Sequence, residues 1–301
     1  MHDTAPIERA VPWVLRALWI MVLITGGRAV DAALTDAAAT AATATRWVAL
    51  AAWTVGVAAM AIPAPTTLTA TRVLVPLTVP VAVLVSAGGA GTVDAALFTA
   101  TALVATLVAF SSPLGRTFVL ASAYGDEDRH LLRPPLAYLL VAGAAWLAWA
   151  ATTVGAAAAI AHAAWPAVAA LGALTVAGGW LGFTRWHRLS RRWIVLVPSG
   201  VVLHDHIVLA ETLMLRREQL ARLGLAPAGT DAADLTGPAP GHAVEIRTVE
   251  PVTALIGLSP GKAAGSAIHL TGCLVAPTRP GRLLAAASRR GLPVGHIDAA
   301  T

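Results

Sequence analysis

Charge, cysteine and lysine are all scarce in this sequence. Only 12% of its 301 residues are charged, whereas ordinary globular domains carry about 25%. So low a charge excludes a disordered chain or a charged coiled coil. The single cysteine, Cys273, excludes an intramolecular disulfide framework and a zinc site built from cysteines. Apolar residues make up 57% of the chain and the mean hydropathy is +0.71, a composition typical of a multi-pass membrane protein.

The charge that is present is unevenly distributed. Residues 1–184 contain eight arginines and eight acidic residues, which cancel. Residues 185–301 contain twelve arginines and Lys262 against eight acidic residues, so they carry the whole net charge of +5. This change predicts two domains, a transmembrane helical domain over 1–184 and a cytoplasmic domain over 185–301.

The first domain contains six candidate membrane spans. A helix that crosses about 30 Å of hydrocarbon needs roughly 20 apolar residues. The uncharged run 136–184 is too long for one crossing, and His162 with Pro166 marks the predicted break. The predicted spans are residues 12–34, 47–62, 73–93, 95–115, 136–158 and 165–184.

The distribution of arginine predicts the orientation of these spans. Cytoplasmic segments near a membrane are enriched in arginine and lysine. If both termini are cytoplasmic, ten near-membrane arginines lie inside and only Arg28 and Arg46 lie outside. We therefore predict a protein of the cytoplasmic membrane with both termini in the cytoplasm. The alternative is that the first apolar segment, with the small residues 29–33, is a cleaved signal peptide, which would leave five spans.

The sequence after Arg185 is typical of a small β-rich domain. Short runs of β-branched and apolar residues alternate with turn signals such as Pro198-Ser199-Gly200. A loop over 224–241 divides these runs, and Thr278 predicts the cap of a closing helix that ends before Gly291. We expect a small β-barrel or sandwich with a C-terminal helix. The predicted strands are residues 193–197, 201–206, 212–215, 242–249, 252–258 and 266–275.

Several short motifs resemble those of an uncharacterised family of actinobacterial multi-pass membrane proteins, over the whole chain. The motifs are residues 124–127, 132–135, 190–198, 203–205, 227–231 and 277–281. That resemblance implies no function. The order of strands followed by one helix is separately similar to the PH-like domains that follow membrane helices in many bacterial proteins. This second resemblance implies a PH-like module.

A polar cluster lies between the fourth and fifth predicted spans, at their cytoplasmic end. Adjacent carboxylates can bind hard cations, and histidine with arginine can bind phosphate, so the cluster is a candidate functional loop. The alternative is a solvated loop, because consecutive acidic residues point in different directions. We predict no catalytic residue in it. The candidate residues are Asp126, Glu127, Arg129, His130 and Arg133.

A second cluster is basic and follows the last predicted span. Its arginines alternate with Trp180, Trp186 and Trp193, and both residue types favour the membrane interface. We interpret it as a contact with the anionic inner leaflet; the alternative is a topology signal alone. Nucleic-acid binding is disfavoured because the arginines gather at the membrane exit. The cluster consists of Arg185, Arg188, Arg191 and Arg192.

Two further motifs give weaker indications. His204 and His206 share a face if they lie on a strand and could meet one zinc ion, but no spacing favours a third ligand. The four possible third ligands are His187, His242, His269 and His296. Residues 257–263 resemble a phosphate loop but lack its glycine spacing and its Ser/Thr. We therefore predict no metal and no cofactor.

Two contacts within the membrane domain are also predicted. Arg28 and Asp31 are three residues apart, which favours an ion pair on one helical face. Gly178 and Gly182 are four apart, which favours close packing of helices.

Three functions remain open at this point. The leading hypothesis is a non-enzymatic scaffold or assembly factor that contacts anionic lipids and binds a protein partner through residues 185–301. The alternatives are a small transporter or lipid-handling protein, and a membrane enzyme that uses the loop 124–135. Neither the partner nor the oligomeric state follows from the sequence.

Overall fold

The computed structural model describes residues 6–257 and 265–295. The chain forms two compact units. Among the described residues, the helical unit comprises residues 6–118 and 142–187, and the β unit comprises residues 119–141, 188–257 and 265–295. The predicted boundary at residue 184 lies close to the second crossing between the units. The segment 119–141 was placed in the membrane domain by the sequence, but the structure gives it to the β unit.

Six helical segments within the described residues are long and apolar enough to cross a membrane, as predicted. The third consists of two helices in succession. The last continues to Ser190, six residues past its predicted end, because no helix breaker interrupts the sequence there. The helices are α1 (Pro6–Ala33), α2 (Ala39–Ala61), α3 (Pro65–Leu74), α4 (Thr78–Ala87), α5 (Thr92–Ala109), α6 (Ser112–Leu120), α7 (Leu136–Ala161) and α8 (Trp165–Ser190).

The break between α3 and α4 surrounds Pro76, which has no N–H and cannot continue the helical ladder. The backbone N–H of Leu77 bonds the carbonyl of Leu74 at 3.1 Å instead of that of Val73. Trp146 of α7 donates its indole N–H to the Val73 carbonyl at 3.1 Å. An indole from another helix therefore satisfies the carbonyl that the proline break exposes.

Tryptophan indoles join other helices in the same way. Trp19 of α1 donates to the carbonyl of Trp53 at 3.0 Å, and Trp53 of α2 donates to the carbonyl of Trp19 at 2.8 Å. Trp149 of α7 donates to Thr175 of α8 at 2.9 Å. In apolar surroundings such bonds hold helices together where the hydrophobic effect does not act.

Glycines provide the space for these indoles. A Cβ on Gly178 would lie 3.1 Å from Trp149, and one on Gly182 would lie 2.6 Å from Trp186. The close packing predicted at Gly178 and Gly182 is thus a fit between glycine and indole.

Gly56→Ala is expected to destabilise the helical unit. A Cβ at this position would lie 2.3 Å from the Trp19 ring, and overpacking of this kind costs about 1–3 kcal/mol. Gly172→Ala is the matched control, because no atom lies within 4 Å of its Cβ position. The apparent melting temperature in detergent should fall for the first variant and not for the second. Equal melting temperatures would contradict the close fit against Trp19.

The predicted pair of Arg28 with Asp31 is wrong. Arg28 bonds Asp94 at the start of α5 at 2.9 Å, whereas Asp31 bonds Arg46 of α2 at 2.7 Å. Both residues lie near the end of α1, where each side chain reaches a different neighbouring helix. The ion pairs therefore join elements instead of supporting one helix.

The β unit contains two four-stranded sheets and one helix. The first sheet has the order β1-β2-β3-β4 and the second has the order β5-β7-β8-β6. The helix α9 (Pro280–Arg289) follows them. The strands are β1 (Asp128–Leu131), β2 (Arg192–Val197), β3 (Gly200–Asp205), β4 (Leu213–Arg216), β5 (Leu220–Leu225), β6 (Ala233–Asp234), β7 (Val244–Gly257) and β8 (Gly265–Val275).

The structure changes the predicted strands in two ways. β1, β5 and β6 were not predicted, and β6 lies within the predicted loop 224–241. Two predicted strands, 242–249 and 252–258, are one strand, β7, whose register shifts between Arg247 and Val252. Pro251 lies within that shift and cannot donate to the ladder, which explains why the sequence suggested a break.

Short pairings join the two sheets into one enclosed core. Leu132 after β1 bridges Pro277 after β8, and Leu209 after β3 bridges Ile256 of β7. The helix α9 packs Leu283 and Ala287 against this core. It is capped at Arg279, one residue after the predicted Thr278, and Gly291 beyond its end has a φ of 66° as a helix-terminating glycine does. The prediction of a helical bundle followed by a β-rich domain with a closing helix is confirmed at this level.

Candidate functional site

The polar loop between the fourth and fifth spans is an edge strand. Residues 128–131 form β1, which pairs antiparallel with β2: Asp128 opposes Leu196 and Leu131 opposes Trp193. The apolar Leu131 and Leu132 are both buried and secure the strand to the sheet. Of the five candidate residues, Arg129 and His130 lie on this strand, and Asp126, Glu127 and Arg133 flank it within the β unit.

The acidic residues of this cluster do not converge on one point. Asp126 bonds Arg290 at the end of α9 at 2.7 Å. Glu127 accepts two hydrogen bonds from Arg129, at 2.9 and 2.7 Å. Asp128 turns toward the core face of the sheet, and its carboxylate lies 3.3 Å from Nε2 of the buried His130. Asp126 and Glu127 therefore each have their own arginine, and Asp128 lies apart from both.

Arg192 does not belong to the membrane-interface cluster, because its side chain is completely buried. It donates to both carboxylate oxygens of Asp205 at 2.8 and 2.6 Å, and to the backbone carbonyls of Thr236 and Arg133. Asp205 also accepts from the backbone N–H of Ile207 at 3.0 Å. Arg192 therefore links four separate segments of the β unit.

Arg133 acts in the same structural role. Its guanidinium donates to the carbonyl of His242. Its backbone N–H bonds Ala276 at 2.7 Å, and its carbonyl accepts from Arg192. These contacts fix the chain where it leaves β1.

The opposite face of the first sheet carries a row of stacked side chains. The Arg129 guanidinium lies 5.4 Å from the centre of the Trp193 ring. Trp193 stacks on His204 at 4.9 Å, and His204 meets His206 edge to face at 4.3 Å. This arrangement, which we call the imidazole row, consists of Arg129, Trp193, His204 and His206.

The imidazole row lies in a positive environment. Burial is the main cause that lowers the pKa of His204 to about 4, and the charges of Arg191 and Arg129 contribute. Burial also lowers the pKa of His206, together with Arg191 and Arg188. The Nε2 atoms of both histidines are shielded from solvent and have no hydrogen-bond partner among the described residues. Burial and the neighbouring arginines thus both favour the neutral form of the His204 ring at pH 7.

Acidification from pH 7 to pH 5 is expected to destabilise the β unit through His204. The folded-state pKa lies below the usual 6.5, so the unfolded chain takes up a proton first, and stability is lost as the pH falls through this range. His204→Gln should flatten the dependence of the apparent melting temperature on pH. His269→Gln is the control, because that ring is exposed. Parallel curves for wild type and His204→Gln would contradict the assignment.

No group of three His, Cys, Asp or Glu side chains within the described ranges is placed to hold a metal ion. Two of the proposed third ligands are engaged elsewhere: His187 bonds Thr69 at 2.8 Å and His269 bonds Thr253 at 3.0 Å. His296 and most of the segment 257–263 lie outside the described residues.

The other arginines after α8 differ in exposure. Arg185 is exposed and donates to the carbonyl of Leu181 at 2.6 Å. Arg188 and Arg191 are half-buried, and both act electrostatically on His206. The structure therefore brings Arg129 of the polar cluster and Arg188 and Arg191 of the basic cluster to the imidazole row. The His-x-His spacing in the sequence indicated that His204 and His206 lie close together. The contact of Trp193 with His204 could not be predicted without the strand register.

Comparison with protein-family models, with curated proteins and with solved structures finds no match for this chain. The resemblances to an actinobacterial family and to PH-like domains therefore stay predictions.

Proposed function

We propose that this protein is an integral cytoplasmic-membrane scaffold or assembly factor that presents a PH-like module at the inner leaflet. The observation that carries the proposal is the pairing of β1 with β2. β1 precedes α7 and β2 follows α8, so the chain of the β unit is interrupted by two apolar helices.

This connectivity constrains the topology. Strands that are hydrogen-bonded to each other lie on the same side of a membrane. The chain between them must therefore cross the membrane an even number of times, and α7 and α8 supply two crossings of 26 residues each. The positive-inside rule assigns that side to the cytoplasm, and with six spans both termini lie there.

The geometry of the polar cluster favours a scaffold over an enzyme. Asp126 and Glu127 are held by Arg290 and Arg129, and Arg133 holds backbone carbonyls. These side chains stabilise the closure of the β unit. The hypothesis that they form a catalytic loop therefore has less support than the hypothesis that they stabilise the β unit.

Transport is the second candidate function, and the break in the third span favours it. Discontinuous helices are common at transporter binding sites, where they expose backbone groups to the substrate. Here the exposed carbonyl of Val73 is occupied by Trp146. Replacement of Trp146 by phenylalanine should leave a scaffold function intact and should alter a transport function.

The proposal is tested by site-specific photocrosslinking of the full-length protein in native membranes. A probe at Val249, which is 65% exposed on the β unit, should capture a specific protein. A probe at Leu107, which is 73% exposed on α5, is the control and should capture lipid. A reporter fused to the C-terminus should be active in the cytoplasm. Capture of lipid alone from both positions, or a C-terminus outside, contradicts the proposal.

A further inference from the structure

We infer that Arg191, His206 and His204 bind the phosphate group of an anionic phospholipid headgroup. This inference rests on the proposed function, since it assumes that α8 crosses the membrane. It adds a specific site, with two imidazoles as ligands, to the general attraction of arginines to the inner leaflet.

The strand register brings the three side chains together. Arg192 opposes Asp205 and Trp193 opposes His204 in the β2–β3 pair. Arg191 immediately precedes β2 and His206 immediately follows β3, so both residues come at the same end of this strand pair. The His206 ring lies 4.3 Å from the His204 ring. The lowering of the His206 pKa by the charge of Arg191 agrees with this placement.

The charge balance at this point favours an anion. The neighbouring carboxylate of Asp205 is fully engaged by Arg192 on the other face of the sheet. Glu127 is engaged by Arg129. Within the described part of the chain, the Arg191 guanidinium donates no hydrogen bond, and the two imidazole Nε2 atoms have no partner either. A buried polar atom without a partner is costly, and a phosphate oxygen that displaces the atoms covering Nε2 would satisfy it.

The position of the site along the chain selects a lipid phosphate. α8 contains 26 residues and is about 39 Å long, whereas the hydrocarbon core is about 30 Å thick. The last turns of α8 therefore extend into the headgroup layer, and Arg191 is the first residue beyond the helix.

Binding of phosphate at this site is coupled to protonation. Arg191 and burial keep the histidines neutral in the free protein. A bound anion offsets the charge of Arg191 and stabilises the imidazolium form, so the complex takes up a proton. Affinity for the anion should therefore rise as the pH falls from 8 to 6.

The test is lipid titration of the full-length protein in neutral detergent, measured by native mass spectrometry. Phosphatidylglycerol is compared with phosphatidylcholine of the same acyl chains at pH 8 and pH 6. Arg191→Gln and His206→Gln should each lower the affinity for phosphatidylglycerol. The loss should be about tenfold for Arg191→Gln, which removes a charged group. Arg289→Gln removes an exposed arginine of α9 and should have no effect.

Each outcome decides the matter. The inference fails if Arg191→Gln and His206→Gln both bind phosphatidylglycerol like the wild type, or if the pH dependence persists in the double variant His204→Gln/His206→Gln. Inorganic phosphate is titrated in parallel. If the protein binds inorganic phosphate but not phosphatidylglycerol, and both variants weaken that binding, then the site binds a soluble phosphate and the lipid inference is wrong. If the variants bind lipid like the wild type and the C-terminus is cytoplasmic, only this inference is overturned. An external C-terminus overturns the proposed function.

Discussion

Arg192→Ala is expected to unfold the β unit. The side chain is fully buried and forms both charge-assisted hydrogen bonds to Asp205. Its removal leaves the Asp205 carboxylate buried without its cation, and loss of one partner of a buried pair costs about 3–5 kcal/mol. Domains of this size are stable by only about 5–15 kcal/mol. The protein should therefore lose most of its protease resistance over residues 188–257.

Three further variants isolate the cause. Arg192→Lys keeps the charge but not the two-pronged geometry, and should be intermediate. Arg192→Met combined with Asp205→Leu removes both charges, and should recover part of the stability lost in Arg192→Ala. Arg191→Ala removes the adjacent arginine, which is half-buried, and should remain folded. If Arg192→Ala resists trypsin as well as the wild type does, the buried pair contributes little to the stability of the β unit.

A fragment of residues 188–301 is expected not to fold, whereas the same fragment linked to residues 119–135 should fold. Without β1, one edge of β2 has no hydrogen-bonding partner. The core also loses Leu132, and Arg192 loses the carbonyl of Arg133. An unpaired apolar edge of this kind also promotes aggregation.

The two fragments can be compared by amide proton dispersion in NMR spectra. The linker must be flexible, and a fusion that carries residues 126–133 in scrambled order is the matched control. Dispersed spectra for the bare fragment would mean that β1 is dispensable. A folded bare fragment could also be used in binding studies, whereas the pairing of β1 with β2 indicates that such studies need the full-length protein.

The membrane helices could be predicted from the sequence because long apolar runs have few alternative structures. The six segments and the break at His162 follow from hydropathy, whereas the third span was predicted over 73–93 without its break and lies at Pro65–Ala87. The strands β2, β3 and β8 were also predicted, since β-branched residues and turn signals mark them. These features are local in sequence.

The rest depends on contacts that are distant in sequence. β1 contains Asp128, Arg129 and His130, which have the composition of a solvated loop, and only its pairing with β2 makes it a strand. Arg192 looked like a surface residue because three other arginines precede it. Its burial requires Asp205 at the opposing position, and that is a consequence of register. The sequence did place His204 close to His206, but not against Trp193.

The order of synthesis gives the split β unit a consequence for biogenesis. β1 leaves the ribosome before α7, and its partner β2 follows only after α8. If α7 and α8 span the membrane as proposed, the first sheet cannot close until both helices have been inserted. A chain that inserts α7 but fails to insert α8 holds the two strands on opposite sides of the membrane, where neither has a partner. The first sheet thus forms only in chains that are correctly inserted. Incompletely inserted chains are expected to be susceptible to proteolysis.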